Sequence, residues 1–284
     1  MKVVLYSLAN QGRAGNIAYA MQEGLRRHGV ACELETRWRG DVRGDVAIAY
    51  GWKHEPVFSA YAAAGAQYAY FDLGYFNRHP TKDKGGSREG HHRLAVNGWD
   101  TADTMARGCP DDRWCDLGIE IASDTVIRAD VERPGAILVV GMSEKAAGTH
   151  GFKPLEWETQ ALEAARRAAN GREIIYRPKP KDMETVEPIE SVLQRTAFIL
   201  THHSNVAVDG LVAAVPCYAT KGVGKLVSRP EGWFVEGSTG CSIMYRRPKL
   251  AERRALLADV AYAQWTPDEM RSGAAWSHIK GLLI

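Results

Sequence analysis

Four polar residues stand between an apolar run and a helical pattern in the second half of the sequence. His202, His203, Ser204 and Asn205 follow the apolar run TAFIL and lead into NVAVDGLVAAV. Ligands of α/β sheets bind where a strand ends and a helix begins, and the first amide groups of a helix attract anions. Ser204 or Asn205 can cap the helix, and Asp209, one turn later, can accept hydrogen bonds from ribose hydroxyls. The pattern predicts an anion site; a plain helix cap beside backbone-bonded histidines is the alternative.

A second polar cluster follows the predicted strand REII in the same half. Arg177 and Lys179 alternate in YRPKPK, so an extended chain points both side chains to one side. Pro178 and Pro180 favour the extended form because proline fixes φ and biases the preceding residue away from the helical region. Two cations beside a helix N-terminus suit a diphosphate. We therefore predict one diphosphate site from these two clusters; a solvated basic loop is the alternative for YRPKPK.

Asp72 is the first candidate for proton transfer in the other half of the chain. It lies at the end of the predicted strand QYAYF, in FDLGYFNR, where a side chain reaches the ligand-binding edge of a sheet. A carboxylate there can take the proton of an attacking hydroxyl as a general base. Asp100 is the second candidate, and the histidine pair 91–92 is the third. A structural ion pair of Asp72 with Arg78 or Arg93 is the alternative.

Further residues of the first half are candidates for contacts to a second substrate. The first strand-to-helix loop, SLANQGRAG, lacks the GxGxxG spacing of a dinucleotide site, so its polar side chains remain for such contacts. The aromatic rings of Tyr75, Phe76 and Trp99 can stack on a sugar or a base, although rings at strand ends are more often core. The predicted contacts are Asn10, Gln11, Arg13, Tyr75, Arg78 and Arg93.

The elements that must position these residues form two series of strands and helices. KVVLYSL, ACELET, DVAIAYG and QYAYFDLG, with a helix after the first strand and another after the third, predict a parallel sheet in the first half. AILVVGM, REIIYRPKPK, TAFIL and PCYA, again with helices between, predict another in the second half. Two helices close the chain, and the second begins with the cap TPDE. Residues 76–93, rich in Lys, Arg, Gly and His, predict a functional loop.

The composition is that of a folded protein whose small net charge gives only a weak overall electrostatic field. The chain has 284 residues, 45% of them apolar, and Lys plus Arg exceed Asp plus Glu by two (36 − 34), which does not argue for a nucleic-acid partner. The five cysteines form no CxxC pair, so we predict reduced thiols and no metal site. No run suits a membrane span, and MKVVLYSL predicts a first strand instead of an export signal. We expect a cytoplasmic protein.

RPKPK followed by HHSNVAVDGLVAAVP resembles the donor-binding half of GT-B glycosyltransferases, especially capsular-polysaccharide and bacteriophage-encoded members. The resemblance covers roughly residues 136–220. It implies that this half binds a nucleotide-diphosphate sugar, such as a UDP-sugar, with the diphosphate at the start of the helix near Val206. It also implies that no metal and no cofactor are needed, because protein cations stabilise the leaving phosphate. FDLGYFNR, HHRLAVNGWD and the tail AYAQWTPDEMRSGAAW resemble the phage-encoded branch.

The predicted fold class is therefore α/β of GT-B type, with two Rossmann-like domains facing across a cleft and helices at the C-terminus. We predict an acceptor-side domain at 1–132, a nucleotide-sugar domain at 133–245 and the terminal helices at 246–284. Asp72 or Asp100 serves as the base in this scheme. Seven residues of the second domain hold the donor: Arg177, Lys179, His202, His203, Ser204, Asn205 and Asp209.

The acceptor stays open at the level of sequence. The phage resemblance implies a hydroxymethylated pyrimidine in DNA, in the host cytoplasm, with the base extruded from the stack. A positive rim for DNA phosphates would then comprise Arg78, Lys82, Lys84, Arg88, His91, His92 and Arg93. A surface polysaccharide, a lipid-linked sugar or a small molecule is the alternative acceptor. A sugar-nucleotide epimerase or hydrolase, and a non-catalytic nucleotide-sugar-binding protein, are the alternative functions.

Overall fold

The computed structural model describes residues 1–8, 12–77, 90–123, 135–169, 171–179, 187–226 and 249–283. The chain divides into two compact units, one formed by Met1–Pro110 with Asp259–Ile284 and the other by Asp111–Ala258. The domain boundaries predicted near 132 and 245 lie outside the described residues. So does most of the predicted loop 76–93.

The first part of the chain alternates strands and helices, as its hydrophobic pattern indicates. Short 3₁₀ turns accompany the regular elements, for example at Trp52–His54. The elements are β1 (Lys2–Tyr6), α1 (Gly12–Arg27), β2 (Ala31–Glu35), β3 (Val46–Tyr50), α2 (Glu55–Ala63), β4 (Gln67–Leu73), β5 (His92–Val96), α3 (Thr101–Thr104) and α4 (Asp112–Asp116).

The second part repeats the alternation and ends in helices. A 3₁₀ turn at Val223–Leu226 follows its last parallel strand. The elements are β6 (Ala136–Val140), α5 (Glu144–Thr149), α6 (Glu156–Ala168), β7 (Ile174–Arg177), α7 (Ile189–Gln194), β8 (Thr196–Thr201), α8 (Val206–Val212), β9 (Cys217–Ala219), α9 (Leu250–Tyr262), β10 (Gln264–Trp265), α10 (Pro267–Ser272) and α11 (Ala274–Leu282).

The first unit is built on a sheet of strand order β10-β5-β4-β3-β1-β2. β2, β1, β3 and β4 are parallel, β5 pairs antiparallel with β4, and β10 pairs antiparallel with β5. Successive β1 residues point to opposite faces, so Leu5 packs with Met21 and Trp276 while Tyr6 packs with Phe58 on the other face. Apolar residues thus cover both faces of the sheet, as in a doubly wound α/β domain.

The second unit has a four-stranded parallel sheet of order β7-β6-β8-β9. Val139 of its first strand packs with Trp157 of α6 on one face, and Leu138 packs with Leu193 of α7 on the other. Its strand order, second-first-third-fourth along the chain, is the same as that of the parallel part of the first unit. The predicted α/β class with two Rossmann-like, parallel-sheet bodies is confirmed.

Two elements near the C-terminus differ from the prediction. The tail was predicted as two helices, but Gln264–Trp265 form the short strand β10 against His92 and Arg93 of β5. The last helical segment is divided at Gly273, whose φ of +91° is a left-handed conformation that ends α10. A Cβ at Gly273 would also lie 2.5 Å from His28 Nε2, so a side chain is excluded there. Among the described residues no helix is both long and apolar enough to cross a bilayer.

Strand order identifies the place in each unit where a ligand is expected. In each sheet the second strand along the chain lies on one side of the first strand, and the third strand lies on the other side. The strand order therefore reverses between β1 and β3 and between β6 and β8. Ligands of open α/β sheets bind at the carboxyl ends of the strands beside such a reversal. The two expected places are therefore the ends of β1 and β3 in the first unit and of β6 and β8 in the second.

Candidate functional site

The strand register of the second unit places both predicted donor clusters at one edge of one sheet. Val140, at the end of β6, pairs with Arg177 of β7 on one side and with Thr201 of β8 on the other. Neighbouring strands lie about 4.8 Å apart, so the Cα atoms of Arg177 and Thr201 are separated by about 10 Å across β6. The segment His202–Asn205 follows Thr201 directly, and Arg177 therefore flanks the strand reversal together with it.

Arg177 is held at this edge by the chain that leads into α7. Its Nη1 donates a hydrogen bond to the Glu187 carbonyl oxygen at 2.8 Å. The Glu187 carboxylate accepts from Arg195 and Ser191, and these bonds, with Arg195 first, lower the pKa of Glu187 to about 2. Arg177 is half-buried, whereas Lys179, two residues beyond, is exposed. One predicted donor cation is thus anchored to the backbone and the other reaches solvent.

The start of α8 corrects the expectation of unsatisfied helix amides. The Val206 amide donates to Ser204 Oγ at 3.3 Å, while the N-cap residue of α8 is Asn205, whose side chain makes no capping hydrogen bond. The Ala207 and Val208 amides donate to the carbonyl oxygens of Ser204 and Asn205 at 3.1 and 2.8 Å. A tight first turn therefore uses these amide groups internally, and α8 has only 7 residues. An anion at this edge would therefore be bound by side chains more than by the helix end.

The two histidines differ in environment, as their alternation along an extended segment predicts. His202 is 3% exposed and packs edge-on against Phe152 and Trp157, with ring centroids 5.5 and 5.9 Å away. His203 is half-buried, and its Nδ1 lies 2.9 Å from Nδ1 of His202. His150, the residue after α5, brings a third imidazole, with its ring centroid 4.6 Å from that of His202.

Sequence reasoning missed His150 and Glu158, which both join this edge from the segment after β6. Glu158, in the first turn of α6, is 3% exposed and accepts a hydrogen bond from the Met142 amide at 2.8 Å. Its Oε2 has no hydrogen-bond partner among the described residues, so it is free to accept from a ligand hydroxyl. Asp209, to which we assigned that role, is half-buried within α8. Their position in the sequence could have indicated them, because both residues lie in the segment that follows β6, the first strand of the unit.

In the first unit, Asp72 lies at the end of β4 within a polar cluster. Its Oδ2 accepts from the Tyr70 hydroxyl at 2.6 Å and from Arg93 Nη2 at 3.2 Å, and its Oδ1 accepts from the Leu73 amide at 2.8 Å. Asp72 and Arg93 stand directly opposite each other in the pairing of β4 with β5. The structural ion pair that was the alternative for Asp72 is therefore present.

The ion pair leaves Asp72 ionised, and it remains accessible. Burial alone would raise the pKa of Asp72, but the Arg93 guanidinium, the Tyr70 hydroxyl and the Leu73 amide outweigh burial and hold the pKa below the usual Asp range. The Asp72 side chain is 32% exposed. An ionised, partly exposed carboxylate at a strand end can accept a proton, so the base role stays a prediction.

Asp100 has a structural role that accounts for its position. Its Oδ1 accepts from the Ala102 amide at 3.0 Å and so caps the short helix α3. Of the two predicted bases, Asp72 is the one whose environment consists of tyrosine and arginine side chains at the end of a parallel strand.

Tyr75 and Phe76 are core residues, which corrects their assignment to substrate stacking. They are 4% and 7% exposed, and their backbone amides donate to Gln264 Oε1 at 2.8 and 3.1 Å. Gly74 permits this turn, because a Cβ there would lie 2.5 Å from the His91 carbonyl oxygen. Burial, the largest influence, raises the pKa of Tyr75. The rings support the sheet instead of facing a ligand.

Arg13, which we predicted for acceptor contacts, lies in the first turn of α1 at the strand reversal of the first unit. Arg13 Nη1 donates to the Tyr50 hydroxyl at the end of β3 at 2.9 Å. Ser7 Oγ, Arg13 Nε and Asn16 Nδ2 are buried and have no hydrogen-bond partner among the described residues. Such atoms are rare in folded proteins and are candidates for ligand contacts. The predicted contacts Asn10, Gln11 and Arg78 lie outside the described residues, as do Lys82, Lys84 and Arg88.

Comparison with known proteins gives distant structural likenesses. No family model and no curated protein matches the sequence. The beta Kdo 2,4 transferase KpsC of Thermosulfurimonas dismutans aligns with 91% of this chain and 90% of its own at 11% identity and a TM-score of 0.49. The beta Kdo 2,7 transferase KpsC of the same organism aligns with 97% of this chain and 99% of its own, at 11% identity and a TM-score of 0.43. Acinetobacter baumannii MurG aligns with 99% of this chain and 92% of its own, at 12% identity and a TM-score of 0.21. At these TM-scores the likenesses decide nothing about activity.

Proposed function

We propose that this chain is a glycosyltransferase of GT-B type, in which the second unit binds a nucleotide-diphosphate sugar. The observation that carries the proposal is the shared register at Val140, which sets Arg177 and the polar segment after Thr201 on the two sides of β6. A cation, histidines and a buried carboxylate then surround the reversal of a parallel sheet, where nucleotides bind in this fold class. The sequence resemblance to GT-B donor halves supports the same reading.

The donor's parts match the groups at this edge. Arg177 and Lys179 suit the diphosphate, because guanidinium and ammonium groups form charge-assisted hydrogen bonds to phosphate oxygens. Glu158 Oε2, which has no hydrogen-bond partner within the part of the chain that the structure describes, suits a sugar or ribose hydroxyl. We propose that the leaving phosphate is stabilised by these side chains, without a metal ion at the phosphate and without a cofactor. A UDP-sugar is the proposed donor.

Asp72 is the proposed base that takes the proton of the acceptor hydroxyl. Its low pKa keeps it ionised at neutral pH, and its 32% exposure leaves a carboxylate oxygen accessible. As acceptor we propose a hydroxymethylated pyrimidine in DNA, supported by the sequence resemblance to phage-encoded enzymes and by the basic residues between 78 and 93. A surface polysaccharide or a small molecule is the alternative acceptor.

A thermal-shift panel tests the donor class. A ligand that binds the native state raises the melting temperature according to its concentration and affinity. We expect a rise with one or more nucleotide sugars and with the matching nucleoside diphosphate, and none with NAD or ATP. A rise with NAD alone would contradict the proposal.

Product analysis separates transfer from the alternative functions. A transferase releases nucleoside diphosphate only when an acceptor is present. A hydrolase or epimerase changes the donor without an acceptor, and a binding protein changes nothing. Transfer that persists in EDTA supports a phosphate site without metal, whereas transfer that stops in EDTA and returns with Mg²⁺ or Mn²⁺ contradicts it.

A further inference from the structure

Three imidazole side chains converge at the strand reversal of the second unit. His150, His202 and His203 each offer a ring nitrogen, and these atoms all lie within 4.8 Å of one another. The Nδ1 atoms of His202 and His203 are 2.9 Å apart. His202 is buried, and the other two are half-buried, so the cluster has one sheltered side and one side open to solvent.

Backbone hydrogen bonds and aromatic contacts anchor the residues of this cluster. The backbone amide of His150 donates to the carbonyl oxygens of Ala146 and Ala147, both at 3.0 Å, which ends α5 at this residue. The His202 carbonyl accepts from the Lys221 amide at 2.7 Å. Phe152 and Trp157 form an aromatic wall against the His202 ring. The ligands therefore come from two anchored loops, one after β6 and one after β8, and little ordering is left to occur on binding.

The ligand set selects the class of ion. Neutral imidazole suits Zn²⁺, Cu²⁺ and Ni²⁺, whereas Mg²⁺ and Ca²⁺ require oxygen ligands. Three histidines and a water molecule make a known tetrahedral zinc arrangement, with Zn–N distances of about 2.0–2.1 Å. That geometry places the nitrogens about 3.3 Å apart, and the ring nitrogens here lie within 4.8 Å of one another. The 2.9 Å contact between His202 and His203 requires a proton on one Nδ1, and an ion would replace that proton.

We propose that His150, His202 and His203 form a binding site for a divalent transition-metal ion, with Zn²⁺ the expected occupant and water as the fourth ligand. The ion joins the loop after β6 to the loop after β8 and so fixes the edge at which Arg177 also lies. This site revises the sequence prediction that the chain has no metal site. The proposal does not rest on the glycosyltransferase assignment, because ion binding is measured without any donor or acceptor.

Titration of the full-length, EDTA-treated and desalted protein with Zn²⁺ alone tests the site. Calorimetry should show one equivalent bound, and the melting temperature should rise by about 5 °C at roughly 100-fold excess over Kd. Co²⁺ in place of Zn²⁺ should give the intense visible absorption of a tetrahedral nitrogen site. Absence of stoichiometric binding by both ions would overturn the proposal.

Three single variants locate the ion. His150→Gln and His203→Gln change half-buried ligands, and each should weaken Zn²⁺ binding more than about 100-fold, since even outer-shell partners of metal ligands cost about 10- to 100-fold. His28→Ala removes an exposed histidine of the first unit and should leave affinity unchanged. Circular dichroism and melting without metal establish that each variant is folded. Wild-type affinity in both ligand variants would place any bound ion elsewhere and refute the site.

Discussion

Two carboxylates of the first unit are assigned different roles. Asp72 is the proposed base, and Asp100 caps the helix α3. If Asp72 is the base, Asp72→Asn lowers the transfer rate by about 100- to 10,000-fold, because general base catalysis contributes that much. Donor affinity should change little, since the donor is assigned to the other unit. Steady-state kinetics and donor calorimetry measure the two effects.

Asp100→Asn is the matched control for that substitution. Asn is also a good helix cap, so stability and rate should both stay near wild type. A loss of rate in Asp100→Asn equal to that in Asp72→Asn would contradict the assignment of the base to Asp72.

The low pKa of Asp72 predicts a particular pH dependence. A carboxyl whose pKa falls on folding contributes stability above its unfolded pKa, about 3.9, and loses that contribution as the pH falls through the lower folded value. The transfer rate should therefore show no acid limb from Asp72 until the pH is below about 4. Arg93→Gln removes the main charge that lowers the pKa and should move the acid limb to higher pH. If the acid limb of the rate profile stays at the same pH in folded Arg93→Gln protein, another group is the base.

At the residue scale, the local sequence pattern predicted the burial of a side chain better than it predicted which distant residues contact that side chain. The strand end predicted that His202 and His203 differ in burial, and the ion pair of Asp72 with Arg93 was foreseen as an alternative. His150 was missed because it stands 52 residues before His202 in the sequence (202 − 150), and the parallel pairing of β6 with β8 alone brings them together. Tyr75 was misassigned because a ring after a strand can turn inward or outward, and local sequence does not decide which.

At the scale of elements, the capping box of α10 gives a stability prediction. Thr266 Oγ1 accepts from the Glu269 amide at 3.2 Å, and the Glu269 carboxylate accepts from the Thr266 amide at 2.7 Å. Thr266→Ala should lower the free energy of unfolding by about 1 kcal/mol, within a typical range of about 0.5–2. Urea denaturation followed by circular dichroism measures the change.

Thr159→Ala serves as the control for Thr266→Ala. Thr159 is an exposed residue inside α6, where alanine has the higher helix propensity, so stability should be unchanged or slightly greater. Equal losses in the two variants would show that the capping box has no special contribution.

The elements that periodicity predicted are those with long apolar patterns. The central parallel strands β1, β3, β6 and β8 are buried along most of their length, and the longer helices beside them each bury one apolar face. β5 and β10 were not predicted as strands. β10 has only two residues, and it pairs antiparallel with β5, which lies in a distant part of the chain. Such pairing is decided by tertiary packing and leaves little trace in local sequence.

At the scale of the whole molecule, salt dependence distinguishes the acceptor classes. The net charge of +2 gives little long-range attraction, so affinity for DNA must come from local contacts to phosphates. For a DNA acceptor, the logarithm of affinity should fall linearly with the logarithm of salt concentration, with a slope of about −0.9 per phosphate contacted. Fluorescence anisotropy with a hydroxymethylated duplex measures this slope. A slope near zero, or no binding, would favour a sugar or small-molecule acceptor.

The two units share a strand order, yet their reversal points carry different side chains. The first has Arg13, Tyr50 and Ser7, whose hydroxyl has no hydrogen-bond partner in the described part of the chain, and the second has Arg177, Glu158 and histidines. This asymmetry is the physical basis for assigning acceptor and donor to different units.

Calorimetry of donor binding tests the central claim most directly. The ligand is the nucleotide sugar chosen by thermal shift, and the double variant Arg177→Ala with Lys179→Ala is compared with wild type. Loss of charge-assisted bonds, about 1.5–3 kcal/mol each, should weaken binding about 10- to 100-fold per cation. Arg166→Ala with Arg167→Ala, two exposed cations of α6, should bind as wild type does. Unchanged affinity in the Arg177 and Lys179 double variant would contradict a diphosphate site at this edge of the sheet.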